Sequence, residues 1–194
     1  MSVPCHVGTR RSVKADAVII FVAQDEKHFR AAEKALTSEI PHLTPLFESK
    51  DFTGKALQTS LAYGGSATAA RRVILAGVGE MQSVTPERIR RAAAAAAKRA
   101  AAHSCSHVAF EVGPMNGLDS ATVAQAVGEG ALLSQYRYDK YKTKKDEGNG
   151  RIAKVTLITD KAHSKAATKG ADIASVIVEG VTIARDLANA PNNE

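Results

Sequence analysis

Arg72-Val73-Ile74-Leu75-Ala76-Gly77-Val78-Gly79, followed by Thr85-Pro86-Glu87 and the alanines from Ala92 to Ala97, decides the fold class. The first stretch is an unbroken apolar run that ends in a glycine turn, the pattern of a strand buried on both faces. The second opens a helix. Thr85 is an N-cap, Pro86 pre-sets the first helical residue, and Glu87 places a carboxylate near the positive end of the helix dipole. The body of that helix, Ala92 to Ala97 and Ala100 to Ala102, has little side-chain bulk. It buries little area per residue but can lie very close to a sheet. A buried strand followed by a helix that covers it is an α/β unit.

The same alternation runs outward in both directions. Upstream, Ala17 to Ala23 is a second buried run, and Lys27 to Ile40 reads as a helix with Phe29, Ala32, Leu36 and Ile40 on one stripe, stopped by Pro41. Leu57 to Tyr63 alternates and then meets Gly64-Gly65, as an edge or half-exposed strand does. Downstream, His107 to Val112 reads as a strand, and Asp119 caps a helix that runs to about Gln135. Gly128 and Gly130 each cost that helix about 1 kcal/mol of propensity, which points to tight packing against a neighbour. Ile152 to Ile158 reads as a further strand with Ala153, Val155 and Leu157 on one face.

The final helix carries Ile173, Val176, Ile177, Val181, Ala184, Leu187 and Ala188 on one stripe, and Asp172, Ser175, Glu179, Thr182, Asp186 and Asn189 on another. Pro191 ends it. The order of elements predicts an α/β domain with a mixed, mostly parallel sheet covered on both sides.

Composition bounds the function. The 194 residues are 44% hydrophobic and 24% charged, enough for one domain, or one with a small extension, and too apolar for a disordered chain. No run approaches the roughly 18–20 apolar residues of a membrane-spanning helix. The start, Met1-Ser2-Val3-Pro4-Cys5-His6, has no apolar segment behind basic residues, so secretion is not expected. Cys5 and Cys105 read as free thiols of a reducing, cytoplasmic setting. The 35 alanines and the absence of Trp fit helices lying close on a sheet.

The net charge of +6 concentrates between Arg137 and Lys169, where ten Lys/Arg face four Asp/Glu. Lysines and tyrosines interleave from Lys140 to Lys145, ahead of a Gly148-Asn149-Gly150 turn. The 137–154 region therefore admits a nucleic-acid reading, set against that of a solvated loop that keeps the domain soluble.

Chemistry-bearing motifs are sparse. Gly77-Val78-Gly79-Glu80-Met81 lacks the third glycine of a dinucleotide fingerprint, and Glu80 would repel a pyrophosphate. It reads as a strand-exit turn. Gly64-Gly65-Ser66 lacks the Lys-Ser/Thr continuation of a phosphate loop and reads as a loop. His103-Ser104-Cys105-Ser106-His107 would align three metal donors on an extended strand. It lies where helix gives way to strand, with no fourth donor near, and reads as a surface turn with a buried Cys. Cys5-His6 sits in an irregular N-terminus. No nucleophile elbow, HExxH or paired-carboxylate signature occurs, so no catalytic, cofactor-binding or metal-ligating residue is assigned.

Two segments are recognisable. Gly128-Glu129-Gly130-Ala131-Leu132, leading into Tyr136-Arg137-Tyr138-Asp139-Lys140-Tyr141-Lys142, resembles the end of the N-terminal domain of leucyl (cytosol) aminopeptidases, where EG-x-x-L precedes Y-x-F-D-x-Y-K. Ala184-Arg185-Asp186-Leu187-Ala188-Asn189-Ala190-Pro191-Asn192-Asn193 is similar to the family's AR-D/N-L-x-N-x-P-x-N run into its catalytic half. The Asp51-Phe52-Thr53-Gly54-Lys55 turn and the Arg72–Gly79 strand match supporting features. Tyr138 stands where the family usually has Phe, a mild departure.

The resemblance implies a three-layer α/β/α, macro-domain-like architecture. It divides the chain into an N-terminal domain over 1–170 and a connector helix over 171–194, with part of the helix's apolar stripe facing a catalytic domain absent from this chain. That domain would hold two divalent metals, Zn or Mn, which polarise the scissile carbonyl and activate water for removal of N-terminal residues from peptides. The full-length protein would be a cytoplasmic homohexamer. The present chain would bind no cofactor, support assembly, frame access to the active site and be inactive alone. The fold relation also raises an alternative, a macro-like module for ADP-ribose or another nucleotide.

Overall fold

The computed structural model describes residues 4–9, 11–64, 68–140 and 150–190. Strands β1 (Cys5–Val7), β2 (Ala17–Ala23), β3 (Thr59–Tyr63), β4 (Arg72–Gly79), β5 (His107–Glu111) and β6 (Lys154–Thr159) form one sheet in the order β1-β6-β5-β2-β4-β3. Helices α1 (Glu26–Glu39), α2 (Thr44–Glu48), α3 (Pro86–Ala102), α4 (Ser120–Leu133) and α5 (Ser164–Asn189) cover it. Every strand pairing is parallel except that of β3 with β4. The expected mixed, mostly parallel sheet in a three-layer α/β/α arrangement is therefore present.

Two cores follow from the pleat, because alternate residues of one strand face opposite sides. Ala17 and Ile19 of β2 join the alanines of α3 and Val123, Val127 and Ala171 on one face of the sheet. Val18, Ile20 and Val22 join Leu36, Phe47 and Phe52 on the other. Thr85 caps α3 by accepting the Arg88 N–H at 3.3 Å, and Asp119 caps α4 by accepting that of Thr122 at 2.8 Å. Both follow the pattern read from sequence.

The alanine helix does approach closely, and its closest neighbour is another helix. A Cβ on Gly130 of α4 would lie 2.1 Å from the Arg90 carbonyl oxygen of α3. A Cβ on Gly170 of α5 would lie 2.0 Å from the Ala121 carbonyl oxygen of α4. Small residues thus set the spacing of α3, α4 and α5 on one face of the sheet.

Three sequence expectations are corrected and one, the stop at Pro41, is extended. The N-terminus is not irregular, since Cys5–Val7 pairs with Leu157–Thr159 as a short edge strand. Ala153 is exposed and precedes β6, whose Val155 and Leu157 face one core and Ile158 the other. Pro41 does stop α1, but it also opens a short 3-10 turn that feeds α2, an element with too few residues to show periodicity. The last helix buries Ala167, Gly170, Ala171, Ala174 and Val178, a row of mostly small residues, rather than the bulky stripe. Most of the lysine-rich loop (141–149), Gly65-Ser66 and the Pro191-Asn192-Asn193 end of the last motif lie outside the described residues.

Candidate functional site

The bulky stripe of α5 is the first unusual surface. Ile173, Val176, Ile177, Ile183 and Leu187 are exposed, Val176 and Leu187 by 71% and 73%. At 3.6 residues per turn they line one side of the helix, with Gly180 among them. A Cβ added to Gly180 would meet nothing within 4 Å. Apolar residues scattered singly need no explanation, but a contiguous row marks a contact surface.

The residues behind this row hold it in place. Tyr136, just past α4, donates its hydroxyl proton to Asp186 Oδ1 at 2.9 Å and accepts from Asn189 Nδ2 at 3.2 Å. The Arg185 guanidinium lies 5.2 Å from the centre of the same ring, within cation–π range. The Tyr136 hydroxyl titrates above its ordinary value, through local desolvation and then the Asp186 carboxylate it faces. Arg185, Asp186 and Asn189 are polar positions of the sequence motif that runs through the end of α5. Their visible role is to clamp that end of the helix to the segment after α4. Beside the clamp, Gln135, Arg137, Arg151, Glu179 and Asp186 line a cleft of about 490 Å³.

The motifs weighed for catalysis serve the scaffold. The Gly77 and Gly79 amides donate to the Gln58 and Gly54 carbonyls at 2.8 and 3.0 Å, so this turn holds the chain's own 54–58 backbone. Gly54 and Gly79 both adopt positive φ there, which glycine tolerates without strain. In the His103–His107 stretch, Cys105 is buried and accepts from Arg72 Nη1 at 3.8 Å, and burial raises its thiol pKa. His107 turns to Thr156, Nε2 to Oγ1 at 2.9 Å, with its pKa lowered by burial and then by Lys154. Two other histidines make local contacts, His28 with Asp25 and His163 with Asp160. Among the described residues, no group of three or more His, Cys, Asp or Glu is placed to hold a metal ion.

Two acidic side chains take structural roles that were not read from sequence, one half-buried and one buried. Asp16 Oδ2 accepts the N–H groups of Ser106 and His107 at 2.8 and 2.9 Å, tying the start of β2 to that of β5. Glu129, 4% exposed, accepts from Arg90 Nε at 2.6 Å and from Gln125 Nε2 at 2.7 Å between α3 and α4. Glu129 was visible only as part of the EG-x-x-L pattern. Asp16 has no local signal, because its partners are ninety residues away.

The profile of the cytosol aminopeptidase family, N-terminal domain, matches residues 18–145. A probable cytosol aminopeptidase of Roseiflexus castenholzii is 36% identical over 153 residues, covering 78% of this chain and 31% of that protein. One from Nitratidesulfovibrio vulgaris is 32% identical over 205 residues, covering 100% and 39%. The chain thus spans about a third to two fifths of the length of these relatives. A tomato leucine aminopeptidase variant has the same fold, with a TM-score of 0.74 at 18% identity, over 100% of this chain and 39% of that one. So does the bottromycin maturation enzyme BotP in complex with Mn, with a TM-score of 0.62 at 23% identity over 91% and 32%. No helix of the described residues is long and apolar enough to cross a membrane.

Proposed function

The chain belongs to the cytosol aminopeptidase family as its N-terminal domain, and from that premise we propose that it is the non-catalytic partner of a two-metal leucyl aminopeptidase domain. The observation that carries this reading is the apolar row Ile173, Val176, Ile177, Ile183 and Leu187, on a helix that packs against the domain through Ala167, Gly170, Ala171, Ala174 and Val178 and is exposed beyond them. Removing such a row from water by docking contributes about 25 cal/mol per Å² of apolar surface buried. The Tyr136 clamp keeps the row rigid, which lowers the entropic cost of docking.

In this reading the connector is the 171–194 segment, which begins within α5, while the body of the domain lies within 1–170. The catalytic domain holds the two divalent ions, zinc or manganese. When bound, they polarise the peptide carbonyl and activate the attacking water. The present chain positions that domain, frames access of peptides to its cavity and supports a cytoplasmic homohexamer. Its own residues take no part in the proton transfers.

A domain exchange tests this. The N-terminal part of the Nitratidesulfovibrio relative is replaced by this chain, and leucyl-anilide hydrolysis and particle mass are measured. The chimera is expected to assemble and to turn over substrate, and Val176→Asp with Leu187→Asp to abolish both. A chimera unaffected by the two aspartates would refute docking through α5.

A further inference from the structure

The cleft beside the Tyr136 clamp has walls of two kinds. Its floor is apolar and buried, formed by Leu132 at the end of α4, Ile152 ahead of β6 and Val178 of α5. Its rim carries charge of both signs. Arg137 and Arg151 line the side formed by the segment after α4 and the approach to β6, while Glu179, Thr182 and Asp186 line the α5 side. Glu179 and Asp186 are seven residues apart, so they mark out about 10 Å along the helix. The volume of about 490 Å³ lies in the range of small-molecule sites, which combine an apolar lining with a few polar groups that fix orientation.

Only one of these charges is used inside the fold. Asp186 accepts the Tyr136 hydroxyl and belongs to the clamp. Among the described residues, Arg137, Arg151 and Glu179 are in no ion pair. Glu179 has no Lys or Arg three or four residues away on α5, so helix pairing does not account for it. Two guanidiniums suit a carboxylate, which each can grip with a planar fork. A polyanion would be set against Glu179 and Asp186, and a plain cation against Arg137 and Arg151. A ligand with a carboxylate at one end and an ammonium at the other satisfies both walls. The Leu, Ile and Val floor favours an apolar side chain between them. An extended peptide advances about 3.3–3.6 Å per residue, so two or three residues span the 10 Å.

We propose that this cleft binds a di- or tripeptide with free termini and an apolar side chain. Its carboxylate lies on Arg137 and Arg151, its ammonium at Glu179, and its side chain on the floor of Leu132, Ile152 and Val178. The lining is supplied within residues 132–186, so the proposal stands whether or not docking through α5 holds.

The probe is the dipeptide Leu-Leu, titrated calorimetrically into the 194-residue chain in EDTA. A dissociation constant on the order of 1 mM or tighter is expected for a ligand of this size. N-acetyl-Leu-Leu and Leu-Leu-amide, each lacking one terminal charge, are expected to bind roughly threefold to tenfold more weakly. Glu179→Gln is expected to weaken Leu-Leu by the same factor and to leave N-acetyl-Leu-Leu unchanged. Arg137→Gln with Arg151→Gln should weaken Leu-Leu and leave Leu-Leu-amide unchanged. A folding defect would not reproduce that pairing of variant with cap. Val176→Asp with Leu187→Asp, which tests docking, should leave Leu-Leu binding as it is, so the two readings fail separately. Absence of binding at about 10 mM peptide would overturn the proposal. So would variants that bind Leu-Leu as the parent does, or capped peptides that bind as tightly as the free one, a sign of adsorption on the apolar floor alone.

Discussion

The carbonyl oxygen of Arg90 occupies the place where the side chain of residue 130 would begin, 2.1 Å from a Cβ built on Gly130. Backbone meets backbone there, so no flexible side chain can give way. Gly130→Ala gains about 1 kcal/mol of helix propensity and must push α3 and α4 apart. Overpacking of this kind costs about 1–3 kcal/mol and here exceeds the gain. The melting temperature is expected to fall by a few degrees, measured by calorimetry.

The Arg90–Glu129 pair behaves differently from a surface ion pair because Glu129 is buried. Arg90→Ala leaves a buried carboxylate with only Gln125 to solvate it, a change of about 3–5 kcal/mol in comparable sites. Arg90→Met with Glu129→Leu removes both charges and is expected to recover much of that loss. Urea denaturation of the three proteins checks the order.

Asp16 predicts an acid limb. Its carboxyl titrates below the ordinary 3.8, chiefly because it accepts the His107 and Ser106 amides. A depressed carboxylate contributes stability that is present above the unfolded value and lost as pH falls through the folded one. His107, lowered from 6.5 by burial, acts in the same direction, since the unfolded chain takes up its proton first. Stability is therefore expected to decline as pH drops below about 6.5 and more steeply below 4. Asp16→Asn should flatten the lower part of that curve, followed by urea midpoints across pH.

Tyr136→Phe deletes the hydroxyl that joins Asp186 to Asn189 and keeps the ring under Arg185. The pair is exposed, so global stability should change by about 1 kcal/mol or less. The effect should appear locally, as faster amide hydrogen exchange near residues 185–189 with α4 unchanged.

Most elements were legible because they are long and periodic. The apolar run of β4 and the cap and proline of α3 placed both without tertiary information. The burial side of α5 was not legible. Its bulky residues make the stronger pattern, yet Gly130 and Gly170 let helix backbones touch, and a packed face of Ala and Gly buries little apolar surface to mark it. The short β1 and α2 fall below one clear period, and β1 is fixed by pairing with β6 far along the chain. The Asp16 link was hidden for the same reason. Among the residues that carried the family resemblance are Glu129, Gly130, Tyr136, Arg185, Asp186 and Asn189. The structure gives each of these a packing or clamping role, and that is why motifs free of catalytic chemistry were readable.

The most direct test of the account is hydrolysis of leucyl-p-nitroanilide by the purified 194-residue chain, with Mn²⁺ or Zn²⁺ added and with EDTA. The account predicts no turnover above the buffer rate under any of the three conditions. Metal-dependent turnover that EDTA abolishes and that travels with the chain through purification would contradict it.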